Sequence, residues 1–184
     1  VIIGSNAADN LTYTDFNTVI GANAGRGLVA HQLSTFLGYD AGRAAAASKN
    51  TAVGAGAGFY ASGQNNSYLG YRAGYGNSGN GNQAGNVAIG AESLYLIYTG
   101  DYNIGIGYKA GYNISTGTGN IIIGSGSLGT ATMNDQLRIG NGNDLVTISA
   151  SLETGHVKFN SFDVNGSSRT LFTSCSLAYS GSNV

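Results

Sequence analysis

The 184-residue chain has no proline and no tryptophan, one cysteine, two histidines and nine per cent charged residues. Each shortage closes a class of structure or chemistry. Without proline, and without glycine at every third position, a collagen triple helix is excluded. The lone Cys175 cannot make an intrachain disulfide. Eight Lys and Arg lie scattered among nine Asp and Glu, so no basic patch exists to displace counterions from nucleic-acid phosphates. No apolar run approaches the roughly eighteen residues of a membrane-spanning helix. His31 and His156 fall in unrelated regions, and a Ser-His-Asp arrangement would need three separate coincidences.

What is present is glycine, 31 residues of it, with 42 per cent hydrophobic residues and a net charge of −1. That is too much core material and too little charge for disorder. Self-similarity organises it. A glycine preceded by Ile, Leu or Val recurs at Gly4, Gly21, Gly38, Gly54, Gly70, Gly90, Gly107, Gly124 and Gly140, in steps of 17, 17, 16, 16, 20, 17, 17 and 16. Counting from this glycine as position 0, position −4 is Asn17, Asn50, Asn66, Asn86, Asn103 or Asn120, with Ser34 and Gln136 as variants. In six of the turns position +3 is small, as Ala24, Ala41, Ala57, Ala73, Ala110 or Ser127, and a second glycine follows at Gly25, Gly42, Gly58, Gly74 and Gly111.

This register predicts an all-β parallel β-solenoid over residues 1–144, about nine turns of 16–20 residues. Positions −3 and −1 share a strand face because side chains alternate. Pairs such as Val87 with Ile89, Ile104 with Ile106 and Ile121 with Ile123 are therefore expected to pack between stacked turns. The glycine permits a turn that a side chain would obstruct. Asn at −4 suits a corner with φ > 0 and could hydrogen-bond from turn to turn. No turn buries its aliphatic pair alone, so stability rests on neighbours. Segments 62–66, 74–85 and 115–120 read as loops. With two dependable aliphatics per turn the core is thin, and the Ala and Gly columns allow close approach; both point to several chains sharing a core.

Candidate sites are few. Asp40 and Glu92 share the +2 column three turns apart, roughly 14 Å, too far for a glycosidase acid pair. Gly140-Asn141-Gly142-Asn143-Asp144 resembles half of a calcium-binding nonapeptide turn, but neighbouring copies are missing, and it reads as a corner closing the last coil. No catalytic residue, metal site or cofactor is expected. Arg72, Glu92 and Lys109 alternate in sign along +2, as a solvated edge would. Phe59, Tyr75, Tyr95 and Tyr112 share the +5 column, after Arg26 and Arg43, while Tyr39, Tyr71 and Tyr108 recur at +1. A stacked ring column reads first as a structural ladder; the other reading makes Tyr75, Tyr95 and Tyr112 candidate glycan contacts. An ice-binding solenoid needs a flat Thr-x-Thr face, and no such column exists.

The units NTVIGANAG (17–25), NTAVGAGAG (50–58), NSYLGYRAGY (66–75), NVAIGAESL (86–94) and NIGIGYKAGY (103–112) resemble two related groups. One is the head repeat of trimeric autotransporter adhesins, with its Asn-Ser-Val-Ala-Ile-Gly core. The other, a closer match through Gly-Tyr-x-Ala-Gly-Tyr at 70–75 and 107–112 and the closing MNDQLRIGNG at 133–142, is the glycine-asparagine repeat of bacteriophage and viral tail fibres. The resemblance implies a homotrimer of left-handed β-rolls in a virion tail fibre. Its partners would be other fibre or baseplate proteins and a host surface glycan or protein, with neither nucleic acid nor membrane insertion. The alternative is a bacterial surface adhesin head.

After Gly140 the period stops. LVTISASL (145–152), HVKFNSFDV (156–164) and TLFTSCSLAY (170–179) read as strands, with turns at Thr154-Gly155 and Asn165-Gly166. Residues 145–184 are expected to form a short β-rich trimerising tail. Val1 begins inside a repeat, so an upstream turn is expected. By the same resemblance, Val184 lies near a terminus left by release of a folding chaperone.

Overall fold

The structure, a computed structural model, describes residues 1–9, 16–27, 32–45, 47–78, 81–126, 128–141, 146–159, 162–164 and 167–169. Its strands are β1 (Ile2–Ile3), β2 (Thr18–Ile20), β3 (Thr35–Leu37), β4 (Thr51–Val53), β5 (Ser67–Leu69), β6 (Val87–Ile89), β7 (Ile104–Ile106), β8 (Ile121–Ser125) and β9 (Gln136–Asn141). These are followed by β10 (Val146–Ser151), β11 (Val157–Phe159), β12 (Phe162–Val164) and β13 (Ser167–Arg169). Among the described residues there is no helix. Strands β1 to β9 pair in parallel in sequence order, one per repeat glycine, and equivalent positions face each other: Leu37 opposes Val53, Val53 opposes Leu69, Ile89 opposes Ile106. The chain is a β-solenoid, as the glycine period predicts. At about 4.8 Å per strand, nine strands span about 40 Å.

The repeat glycine is fixed twice over. Gly70 and Gly107 have φ of 137° and 124°, a region L side chains rarely adopt. A Cβ on Gly70 would also lie 2.7 Å from the carbonyl oxygen of Gly90, and one on Gly54 only 2.4 Å from that of Gly70. Successive coils touch backbone to backbone along this column. The close approach allowed by glycine is therefore between coils of one chain.

The strand faces differ from the sequence expectation. Position −2 points into the coil: Val19, Phe36, Ala52, Tyr68, Ala88 and Ile122 are fully buried, against the equally buried +3 residues Ala24, Ala41, Ala57, Ala73, Ser93 and Ala110. Positions −3 and −1 point out; Ile89 and Ile106 are exposed, and Val87, Ile104, Ile121 and Ile123 are half-buried. The reason is room. A coil with one three-residue strand has backbone close on every side, and its interior is filled by one −2 side chain, a small +3 residue and, at +7, Ala45, Ala61, Ile97 or Ile114. Where −2 is aromatic, +4 must be glycine: a Cβ on Gly42 would stand 2.4 Å from the Phe36 ring, and one on Gly74 2.3 Å from the Tyr68 ring. Where +4 is Leu94, the next coil's −2 residue is Gly105, whose Cβ would fall 2.9 Å from the leucine Cγ. This is interior packing at native density, large against small.

Position −4 carries an amide ladder through the buried corner. The Oδ1 of Asn50 accepts the backbone N–H of Asn66 at 3.0 Å, Asn66 accepts Asn86 at 2.9 Å, Asn86 accepts Asn103 at 2.9 Å, and Asn103 accepts Asn120 at 3.1 Å. Each side-chain amide then donates across the coil, Asn86 to the Gly100 carbonyl at 2.8 Å and Asn103 to that of Gly117 at 2.7 Å. The turn-to-turn bonding follows the sequence; the positive φ does not. It falls one residue earlier, at Phe16, Leu33, Lys49, Asn65 and Tyr102, because the asparagine must stay extended to hand its oxygen to the next coil.

At the C-terminal end β9 pairs in parallel with β8 and antiparallel with β10, and β11 continues antiparallel. The −2 position of this last coil is Arg138, which donates Nη1 to the Leu128 carbonyl at 3.2 Å where earlier coils have apolar groups. Ala150 of β10 is buried and Leu152 is exposed. Strands β12 and β13 form a separate antiparallel pair. The strand expected at 170–179, Cys175, His31 and Ser127 lie outside the described residues.

Candidate functional site

Three surface columns and one open face remain once the interior is assigned. The +5 column is a ring stack: Phe59 and Tyr75 have centroids 5.0 Å apart at 27°, Tyr75 and Tyr95 5.1 Å at 12°, Tyr95 and Tyr112 4.9 Å at 7°. Parallel strands set this spacing, and offset-stacked rings at that distance attract. Both faces of Tyr75 and Tyr95 are thus taken up by neighbouring rings, while Tyr112 ends the stack with one face against Tyr95. Partial burial, with the neighbouring phenols Tyr60 and Tyr95, raises the Tyr75 pKa.

Charges line the +2 column beside it. Glu92 and Lys109 form an ion pair at 3.4 Å across adjacent coils. Arg43 reaches Asp40 at 3.7 Å, and Arg26 reaches Asp9 at 3.9 Å. Arg72 behaves differently, with its guanidinium carbon 5.1 Å from the Tyr71 centroid and 5.5 Å from that of Tyr75. Lys109 sits likewise 5.2 Å from the Tyr108 centroid, and its pKa is raised, first by hydrogen bonding with Tyr108 and then by Glu92. Tyr39, Tyr71 and Tyr108 at +1 are the exposed rings of this side, at 59, 49 and 56 per cent.

The open face is the outward side of β2 to β8. Leu37, Leu69, Ile89 and Ile106 at −1 are exposed, with Thr18, Thr35, Thr51, Val87, Ile104 and Ile121 at −3 beside them. It is about 10 Å wide and about 35 Å tall, roughly 350 Å², within the range where an apolar patch marks an interaction surface. Sequence reasoning found these residues but assigned them inward; the contrast it passed over is a −2 position that ranges from Gly105 to Tyr68 beside a −1 position that is always Ile, Leu or Val.

Elsewhere there is little chemistry. His156 is exposed, with Nδ1 3.0 Å from Thr154 Oγ1. Among the described residues no group of three His, Cys, Asp or Glu is placed to hold a metal ion, and no helix is long and apolar enough to cross a membrane. The nine repeat glycines stand at the contacts between coils, and Asp40 and Glu92 are three coils apart with Arg and Lys partners of their own. Comparison with family models, with curated proteins and with solved structures returned no match.

Proposed function

We propose that this chain is a shaft segment of a phage or virus-like tail fibre, a homotrimer whose −3 and −1 faces pack against one another about a common axis. The observation that supports it is the contrast between a closed coil interior and an unbroken outward strip of Ile, Leu and Val. Covering such a strip with an identical strip in register repeats every favourable contact coil after coil. Three copies, rather than two, is what the resemblance of the 66–75 and 103–112 units implies. The fibre would project a receptor-binding tip, contact other fibre or baseplate proteins, and add surface-glycan contacts of its own. A bacterial adhesin head is the second reading, favoured by the single unit Asn-Val-Ala-Ile-Gly at 86–90. Native mass measurement tests the assembly: three chains per particle is the expected result, and a stable folded monomer at micromolar concentration overturns it.

A further inference from the structure

The outward face changes character along the solenoid. Position −1 is Ile, Leu or Val in every coil from Ile20 to Ile123, but position −3 is Thr18, Thr35, Thr51 and Ser67 in β2 to β5 and Val87, Ile104 and Ile121 in β6 to β8. Strand register makes these one column: Thr18 opposes Thr35, Thr35 opposes Thr51, Thr51 opposes Ser67, Ser67 opposes Val87, Val87 opposes Ile104 and Ile104 opposes Ile121. The switch from hydroxyl to aliphatic falls at the 20-residue step between Gly70 and Gly90, the longest in the repeat.

The two stretches would meet a second copy of the chain differently. On β6 to β8, Val87, Ile89, Ile104, Ile106, Ile121 and Ile123 form two adjoining aliphatic columns, and covering them removes only apolar surface from water. On β2 to β5, covering the −1 residues also covers four hydroxyls. The strand backbone is already committed from coil to coil: the N–H groups of Thr18, Thr35, Thr51 and Ser67 donate at 2.8–3.0 Å to the carbonyls of Ser34, Asn50, Asn66 and Asn86. A covered hydroxyl therefore has only water or another hydroxyl to pair with, and losing both is penalised. Thr51 and Ser67 are exposed, whereas Val87, Ile104 and Ile121 are half-buried in the single chain. We propose that copies of this chain hold one another unequally along the shaft: β6 to β8 form a dry contact that stays closed, and β2 to β5 a hydrated contact that opens reversibly. Resting on the homotrimer reading for the identity of the partner, this division gives the fibre a firm half and a half whose chains can part.

The experiment is hydroxyl-radical footprinting of the full chain, read residue by residue in a mass spectrometer, with native mass measured on the same sample. Leu37 and Leu69 are 43 and 51 per cent exposed in the single chain, and Ile89 and Ile106 are 40 and 37 per cent exposed, so a free chain should oxidise the two pairs at similar rates. In the assembled particle Leu37 and Leu69 are expected to oxidise at least threefold faster than Ile89 and Ile106. Replacing the hydroxyl column by Thr35→Val, Thr51→Val and Ser67→Val together should bring the ratio below threefold by closing the β2 to β5 contact. Val87→Thr with Ile104→Thr should raise the concentration at which the particle half-dissociates at least tenfold. In an intact trimer, a ratio below threefold in the parent, a ratio that ignores the valine substitutions, or an unmoved dissociation midpoint overturns the division and leaves the trimer standing. A chain that stays monomeric at micromolar concentration overturns the trimer and the division with it.

Discussion

Inside each coil the strand residue is Val19, Phe36, Ala52, Tyr68, Ala88, Gly105 or Ile122, size varying widely and everything buried; outside, it is Ile20, Leu37, Val53, Leu69, Ile89, Ile106 or Ile123, nearly constant in size and partly or largely exposed. Variable size on the inner face is tolerated because each coil has its own compensating partner, glycine at +4 for an aromatic and Leu94 for Gly105. Constancy on the outer face is what a surface needs when it meets a repeating copy of itself. The inner face is set by local fit; under the proposed trimer the outer is set by translation along the axis.

Charge insertion separates the two faces most strongly. Ile122→Asp places a carboxylate in a dry interior and should cost more than about 4 kcal/mol, abolishing the cooperative transition in thermal circular dichroism. Ile106→Asp, 37 per cent exposed in the single chain, should cost a separated chain under about 1 kcal/mol while dissociating the proposed trimer in a mass measurement. Equal loss of melting temperature without dissociation would erase the distinction between faces.

The amide ladder gives the next effect. Asn103→Leu removes the acceptor for the Asn120 N–H and the donor to the Gly117 carbonyl. Two buried groups left unpaired at about 1–3 kcal/mol each predict a loss of about 3 kcal/mol. Exposed Asn113→Ala should stay within about 0.5 kcal/mol. Denaturant midpoints with unchanged slopes check both; a mild Asn103 variant would mean that water replaces the amide.

Packing compensation should be measurable as coupling. Leu94→Ala opens a cavity worth about 2–4 kcal/mol, and Gly105→Ala crowds the same space at about 1–3 kcal/mol. Together they should cost at least about 1 kcal/mol less than the sum. Additivity would show that the added methyl is limited by Ser93 Oγ, 2.6 Å away, rather than by Leu94.

How much of this was legible follows from what repeats. The glycine column and the asparagine ladder depend on one residue type at one spacing, and both could be read directly. Facing could not be read from hydrophobicity, because Ile106 and Ile122 are equally apolar and an apolar stripe does not say whether its partner is the same chain or another. The positions with φ > 0 before the strand, Phe16, Leu33, Lys49, Asn65 and Tyr102, share no chemistry, so only the backbone path reveals them. At the surface, the recurrence of Tyr39, Tyr71 and Tyr108 was visible, but their contrast with the stacked +5 rings needed the exposures. Tyr75, Tyr95 and Tyr112 share one column in the sequence, but their near-parallel stacking is seen only in the interplanar angles.

The smallest effect concerns one atom of the inner face. Tyr68 is 1 per cent exposed, and its hydroxyl makes no hydrogen bond; the nearby Asn86 amide is already committed to the ladder and to Gly100. Burial pushes the phenol pKa well up, and Asn86 opposes this only weakly. Tyr68→Phe keeps the ring, as Phe36 does two coils earlier, and deletes an unpaired polar group. At pH 7 it should be neutral or stabilise by up to about 1 kcal/mol. The pH dependence has a definite sign. A group whose pKa is raised on folding keeps its proton in the folded state, so its stabilisation is complete below the ordinary phenol value of about 10 and is lost as pH rises above it. The parent protein should therefore lose stability between pH 10 and 11 faster than Tyr68→Phe, since Tyr75 and the other phenols are common to both. Melting temperatures at pH 7 and 11 decide it. A variant clearly weaker at pH 7 would mean that the hydroxyl has a partner and that the inner face is more polar than its alanines and glycines imply.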